Sequence, residues 1–111
     1  MTFTQSISLC FTKYAEFNGR AKRPEYWWFF LFLFLLGAVT GAISEGLYII
    51  VSLATLLPSL AVGARRLHDT NRSGWWQLLW IIPLIGWIVV IIFLVEEGKS
   101  TDNQYGVVPS D

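Results

Sequence analysis

The chain has 111 residues, of which 54% are hydrophobic and 14% charged, and its eight basic and eight acidic residues cancel to zero net charge. A soluble domain usually carries roughly 25% charged residues, so the composition points to lipid as the solvent, and the length allows a single domain. Zero net charge leaves no uniformly basic surface for nucleic acid. One cysteine, Cys10, and one histidine, His68, exclude an intramolecular disulfide and argue against a zinc site built from one chain; no cofactor or metal is expected, and Cys10 reads as a small buried or interfacial hydrophobe.

In chain order, Phe3, Ile7, Cys10, Phe11, Tyr14 and Phe17 recur at spacings of three and four. That spacing predicts an amphipathic helix over 2–18 lying at the membrane interface, with a mobile tail as the alternative. No cleavable signal peptide is expected, since no small-x-small site follows the first long apolar run.

The stretch FNGRAKRPEYWWF at 17–29 sets basic residues, Arg20, Lys22 and Arg23, directly against Tyr26, Trp27 and Trp28. Tyr and Trp favour the headgroup level, where Arg and Lys also meet lipid phosphates. Pro24 suits the first turn of a helix, where its missing N–H costs nothing. Glu25 suits the positive helix start.

Three apolar runs follow, at 26–43, 46–64 and 75–95. The first has about 18 residues, ~27 Å as a helix, against a hydrocarbon core of about 30 Å. All three lack charge, and together they predict an all-α integral membrane fold, a bundle of three transmembrane helices in one domain over 1–111. Ser44 and Glu45 alone separate the first two runs, so those helices must form a tight antiparallel hairpin. Pro58 and Pro83 fall inside the second and third runs, and Thr55 and Ser59 are candidates to satisfy the carbonyl that Pro58 frees. Gly37 and Gly41 make a G-x-x-x-G face for packing within or between chains. Residues 96–111 are polar, and a short extramembrane tail is expected.

Lys13, Arg20, Lys22 and Arg23 precede the first run, and Arg65, Arg66 and Arg72 lie between the second and third. Lys99 stands alone on the expected opposite side with Glu45, Glu96, Glu97, Asp102 and Asp111. Because Lys and Arg resist translocation, this bias predicts a cytoplasmic amino terminus and link, and an outside carboxyl terminus.

The link RRLHDTNRSGWW at 65–76 repeats the pattern of basic residues before a Trp pair. Ser73 is a good N-cap for the helix that follows. If the second helix runs past Ala64, Arg65, His68 and Asp69 share a face and Arg66 reaches Asp69. Glu25 then joins, giving Glu25 and Asp69 against Arg65, Arg66 and Arg72.

The candidate cluster is Arg20, Arg23, Glu25, Arg65, Arg66, His68, Asp69, Arg72, Trp75 and Trp76. It can hold the cytoplasmic helix ends in register, or bind anionic lipid headgroups or a phosphate-bearing ligand. Catalysis is the weakest of its uses: a metal hydrolase needs further histidines, and Ser73, His68 and Asp69 are too close in sequence to point at one another as a triad.

At 17–29, at 65–76 and in NQYGVVP at 103–109, the sequence resembles the YhaH-like proteins, a family of small bacterial inner-membrane proteins grouped as a domain of unknown function. Pro24 stands where a small or polar residue is more usual, and Asn71 where Gly is common. The resemblance implies a multi-spanning inner-membrane protein without an established activity, substrate or cofactor. It also draws attention to Asn103, Tyr105, Gly106 and Pro109; docking of that tail on the link would require a cytoplasmic carboxyl terminus.

The functional expectation is a non-enzymatic module that self-associates or serves as an accessory subunit, engaging membrane lipids through anionic headgroups or a membrane-protein partner. An oligomeric channel lined by Ser52, Thr55 and Ser59 is one alternative, although no apolar run contains an ionisable residue. An enzyme acting on lipid headgroups is another.

Overall fold

The structure, a computed structural model, describes residues 2–98, 101 and 103–106. Lys99, Asp102, Pro109 and Asp111, named above, lie outside the described residues. The elements are α1 (Phe3–Thr12), α2 (Arg23–Ile43), α3 (Glu45–Asp69), a 3-10 arm (Gly74–Ile81) and α4 (Ile85–Val95).

α2 and α3 form the expected hairpin, and they are the two described helices long and apolar enough to cross a membrane. Pro24 sits in the first turn of α2. Ser44 makes the turn: its N–H donates to the Thr40 carbonyl and its hydroxyl accepts from the Leu47 N–H at 3.3 Å, which caps α3. Gly37 and Gly41 serve this hairpin internally. A Cβ at either would lie 3.3 or 3.6 Å from the Tyr48 ring, so the absent side chains let α3 approach α2 at Tyr48.

α3 runs on to Asp69, past its apolar stretch, and carries Arg65, Arg66 and His68 in helical register. Pro58 is accommodated within it. The carbonyl of Ala54, which would have accepted from an N–H at position 58, accepts from the Tyr14 hydroxyl instead. The expected candidates bond elsewhere: Thr55 donates to Val51 and Ser59 to Leu56.

α1 is shorter than the predicted 2–18 helix. Thr2 and Gln5 close a capping box at its start, and it ends at Thr12. It packs on α2, with Phe3 edge-on to Trp28 and Phe11 edge-on to Phe29 at ring distances of 5.7 and 5.5 Å. Its buried residues are Ser6 and Cys10 rather than the aromatic stripe, because the Ser6 hydroxyl reaches the Glu25 carbonyl at 2.5 Å.

The third expected span, 75–95, is not one helix. Ser73 caps a 3-10 arm through the Trp75 N–H, the chain breaks at Pro83, and Leu84 takes φ 63° before α4 begins. A bulky side chain at positive φ is unfavourable by about 1–2 kcal/mol, so the break is held by what surrounds it. α4 has 11 residues, ~17 Å of helix, too short for a hydrocarbon core of about 30 Å. It folds back on the arm, where the Trp87 indole donates to the Trp80 carbonyl at 2.8 Å and Phe93 packs edge-on to Trp76.

Both ends of this folded pair therefore meet the carboxyl end of α3. The expectation of three full spans is replaced by two long apolar helices and a bent 3-10/α4 pair. The tail, expected on the side opposite the link, lies against it. Charge bias and hydropathy register how many apolar residues there are, not whether the chain turns back halfway.

Gly86 makes the fold-back close: a Cβ there would overlap the Leu79 carbonyl oxygen and lie 3.0 Å from its carbon. Gly86→Ala is expected to cost about 1–3 kcal/mol, the usual penalty for overpacking, read as a lower thermal midpoint of the detergent-solubilised protein. An unchanged midpoint would mean that α4 does not rest on the arm.

Candidate functional site

The cluster forms at the carboxyl end of α3 because Arg65 and Arg66 are consecutive on a helix that has left its apolar stretch. Successive helical residues point about 100° apart, so the two guanidiniums serve different neighbours. Both are fully buried. A buried charge must be paired and hydrogen-bonded to be tolerated, and the partners come from every surrounding element.

Arg65 Nη1 donates to the Glu25 carboxylate on α2, and its Nε to the Glu16 carbonyl at 3.2 Å. Its Nη2 is buried with no hydrogen-bond partner among the described residues. Arg66 Nη1 meets Asp69 one turn on at 3.1 Å and the Ala21 carbonyl at 3.3 Å. Its Nε donates to the Leu94 carbonyl at 2.9 Å, and Nη2 to the Glu96 carbonyl.

The last carbonyls of α4, left without intrahelical donors, are thus satisfied by side chains. The Trp27 indole also donates to Leu94, at 3.2 Å, and Arg23 to Val95, at 3.5 Å. Cations at this negative helix end are favourable in their own right.

Asp69 is the second hub. Arg20 Nε reaches its Oδ1 at 2.9 Å while Arg66 takes Oδ2, so both carboxylate oxygens are engaged. Arg20 Nη1 then donates to the carbonyls of Thr101, at 2.9 Å, and Gly106, at 3.3 Å. The tail is tied down twice more. Asn103 donates to the His68 carbonyl at 3.0 Å, and the Tyr105 ring stacks on the His68 ring at 4.0 Å, nearly parallel.

His68 Nδ1 lies 2.9 Å from the Gly19 carbonyl. A carbonyl can only accept, so Nδ1 carries the proton and Nε2 of the neutral ring is an acceptor. Asn71 has φ 62° in the turn that follows, a conformation that Gly and Asn adopt most readily.

Of the ten predicted residues, Arg20, Glu25, Arg65, Arg66, His68 and Asp69 are brought together and buried. Arg72 departs from the expected network: it pairs with Glu96, at 2.8 Å, and lies 4.0 Å over the Phe93 ring. Arg23, Trp75 and Trp76 stand at the surface. Arg20, Arg65 and Arg66 face inward, while Arg23 is exposed and Arg72 partly so. Glu16, Gly19, Ala21 and Leu94 were missed because each contributes only a carbonyl, for which side-chain type gives no signal.

Ser6 and Cys10 back the Arg65 pair. Burial pushes the Cys10 thiol up to about 12, and the nearby Glu25 carboxylate adds to this while the Arg65 guanidinium opposes it. Beside the network, a cleft of about 530 Å³ opens between α3, the 3-10 arm and the tail. Its rim includes Asn18, His68, Ser73 and Tyr105, and its apolar wall Leu60, Trp75 and Leu78.

Residues 14–107 match the family described as protein of unknown function, DUF805. The chain is 46% identical over 100 residues to the inner membrane protein YhaI of Escherichia coli strain K12, covering 84% of this chain and 85% of that protein. It is 43% identical over 107 residues to the inner membrane protein YhaH of the same strain, covering 86% and 88%. No solved structure matches the chain.

Asp69→Asn removes a carboxylate shared by two buried arginines, and a broken buried pair costs about 3–5 kcal/mol. The variant is expected to lose stability of that order against denaturant in micelles; a loss well under 1 kcal/mol would mean that the pairs are solvated. Cys10 in the folded protein is expected to react with a maleimide at pH 8 roughly a hundredfold or more slower than an exposed thiol. Rapid labelling would show α1 undocked.

Proposed function

The chain belongs to the DUF805 family and is an inner-membrane protein, and from that premise we propose that it is a non-enzymatic membrane module: a rigid polar cap carried on a two-helix hairpin. The single observation that supports this best is the engagement of the central charges. Arg20, Arg65, Arg66, Glu25 and Asp69 are all buried and all committed to ion pairs. A catalytic carboxylate or a headgroup-binding arginine has to be available to its substrate. These side chains hold four chain segments together instead.

The proposal includes a topology. α2 and α3 cross the bilayer, the 3-10/α4 pair enters and leaves from the cap side, and the amino terminus, the link and the tail all lie in the cytoplasm. The positive residues before α2 and after α3 support that side. Contacts of Arg20 with Thr101, and of His68 with Asn103 and Tyr105, support one common side for the amino-terminal segment, the link and the tail. The Ser44 turn is then the external tip.

The cap has a surface for binding even though its arginines do not supply it. Trp75 and Trp76 remain exposed at the cap edge, where indoles favour the interface, and the cleft beside them is a candidate seat for lipid or a partner's side chain. A reporter fused after Asp111, with Glu45→Cys labelled in intact cells on a Cys10→Ser background, tests the topology. A cytoplasmic reporter with an externally labelled tip is the expected result; an external reporter would refute the common cap.

A further inference from the structure

The cleft beside the cap combines an uncharged polar rim with an apolar wall that continues along two helices. Among the described residues that line it, none is Arg, Lys, Asp or Glu. Arg65 and Arg66 are not among the residues that line it, and they are paired with Glu25 and Asp69 and with main-chain carbonyls. A phosphate or carboxylate head placed there would give up its hydration without gaining a cation. The volume, about 530 Å³, is that of an ordinary small-molecule site.

The rim selects a hydroxyl. His68 is fixed at both faces of the question: Nδ1 is committed to the Gly19 carbonyl, and the ring plane is held by Tyr105. Nε2 is left as the acceptor, and it faces the cleft side of the link, 3.7 Å from where a Gly74 Cβ would stand. The Ser73 hydroxyl and the Asn18 amide in the same rim are donors suited to ester carbonyls.

The wall selects an acyl chain. In a 3-10 helix residues three apart eclipse one another, so Trp75, Leu78 and Ile81 form one stripe, and they are 77%, 58% and 78% exposed. On α3, Leu60, Leu57 and Leu53 share a face at spacings of three and four, with Leu57 and Leu53 exposed. Both stripes begin at the cleft and run away from the cap, into the part of the molecule surrounded by lipid.

We propose that the cleft binds a diacylglycerol drawn from the surrounding bilayer, its free hydroxyl donating to His68 Nε2 and an acyl chain lying along the Trp75–Leu78 stripe. The inference rests on reading the chain as a membrane module and names that module's ligand. Its test does not depend on which side the cap faces, so the two can fail separately.

The full-length protein in phosphatidylcholine nanodiscs is irradiated with a trace of photoactivatable diacylglycerol, and the adducts are mapped by mass spectrometry. Saturable labelling of peptides carrying Leu60 and residues 75–78 is expected. Unlabelled diacylglycerol should compete at a mole fraction at least about tenfold below that of phosphatidylglycerol, a difference of about 1.4 kcal/mol. Non-saturable labelling, adducts spread over the exposed α2 face at Phe34 and Ile43, or equal competition by phosphatidylglycerol would each overturn the proposal. Leu60→Trp, which fills the cleft, should abolish the saturable component at an unchanged melting temperature; full labelling of that folded variant would also overturn it. If Leu60→Trp does not fold, the wild-type competition decides alone.

Discussion

Two adjacent arginines buried at the end of one helix are the constraint on which the rest of this protein depends. Arg65 and Arg66 leave the apolar stretch of α3 together and are sealed from solvent. Taking a charge out of water costs several kcal/mol per ion even after relaxation, and each guanidinium offers five donors, of which those on Arg65 Nη2 alone stay unpartnered among the described residues. Glu25 brings in the start of α2, Asp69 the end of α3, and Asp69 in turn brings in Arg20. The carbonyls of Glu16, Ala21, Leu94 and Glu96 take up further donors. The connection before α2, the end of α4 and the tail are placed by this demand.

Such a network is weak as a source of net stability and strong as a source of uniqueness, because a misplaced element leaves a charge unpaired. That fits the two irregular features it holds. The eight-residue 3-10 arm is longer than such helices usually run, and Leu84 sits at an unfavourable positive φ. Neither would be chosen by local preference. The fold-back brings the Leu94 and Glu96 carbonyls to Arg66.

The functional consequence is a division of labour within one small chain. The buried arginines build the cap, α2 and α3 carry exposed apolar faces suited to lipid, and the cleft is the proposed binding place. Within the basic-aromatic pattern, Arg20, Arg65 and Arg66 are buried in ion pairs, while Arg23, Trp75 and Trp76 stay at the surface.

Much of this was legible in the sequence. Uninterrupted apolar runs joined only by Ser44 and Glu45 determine a hairpin, since backbone in lipid must bond to itself and a two-residue link permits only an antiparallel return. Helical spacing gave the Arg66–Asp69 pair, and the residues at 65–76 gave the family and the location. Three things were left to the tertiary structure. The fold-back at Pro83 and Leu84 could not be read, because hydropathy does not record direction. The main-chain partners of the arginines could not be read, because carbonyls have no residue-type signature. The tail's place beside His68 could not be read either, because it comes from a ring stack and a few hydrogen bonds between residues far apart in the chain, which exist only once the buried arginines have gathered the helix ends.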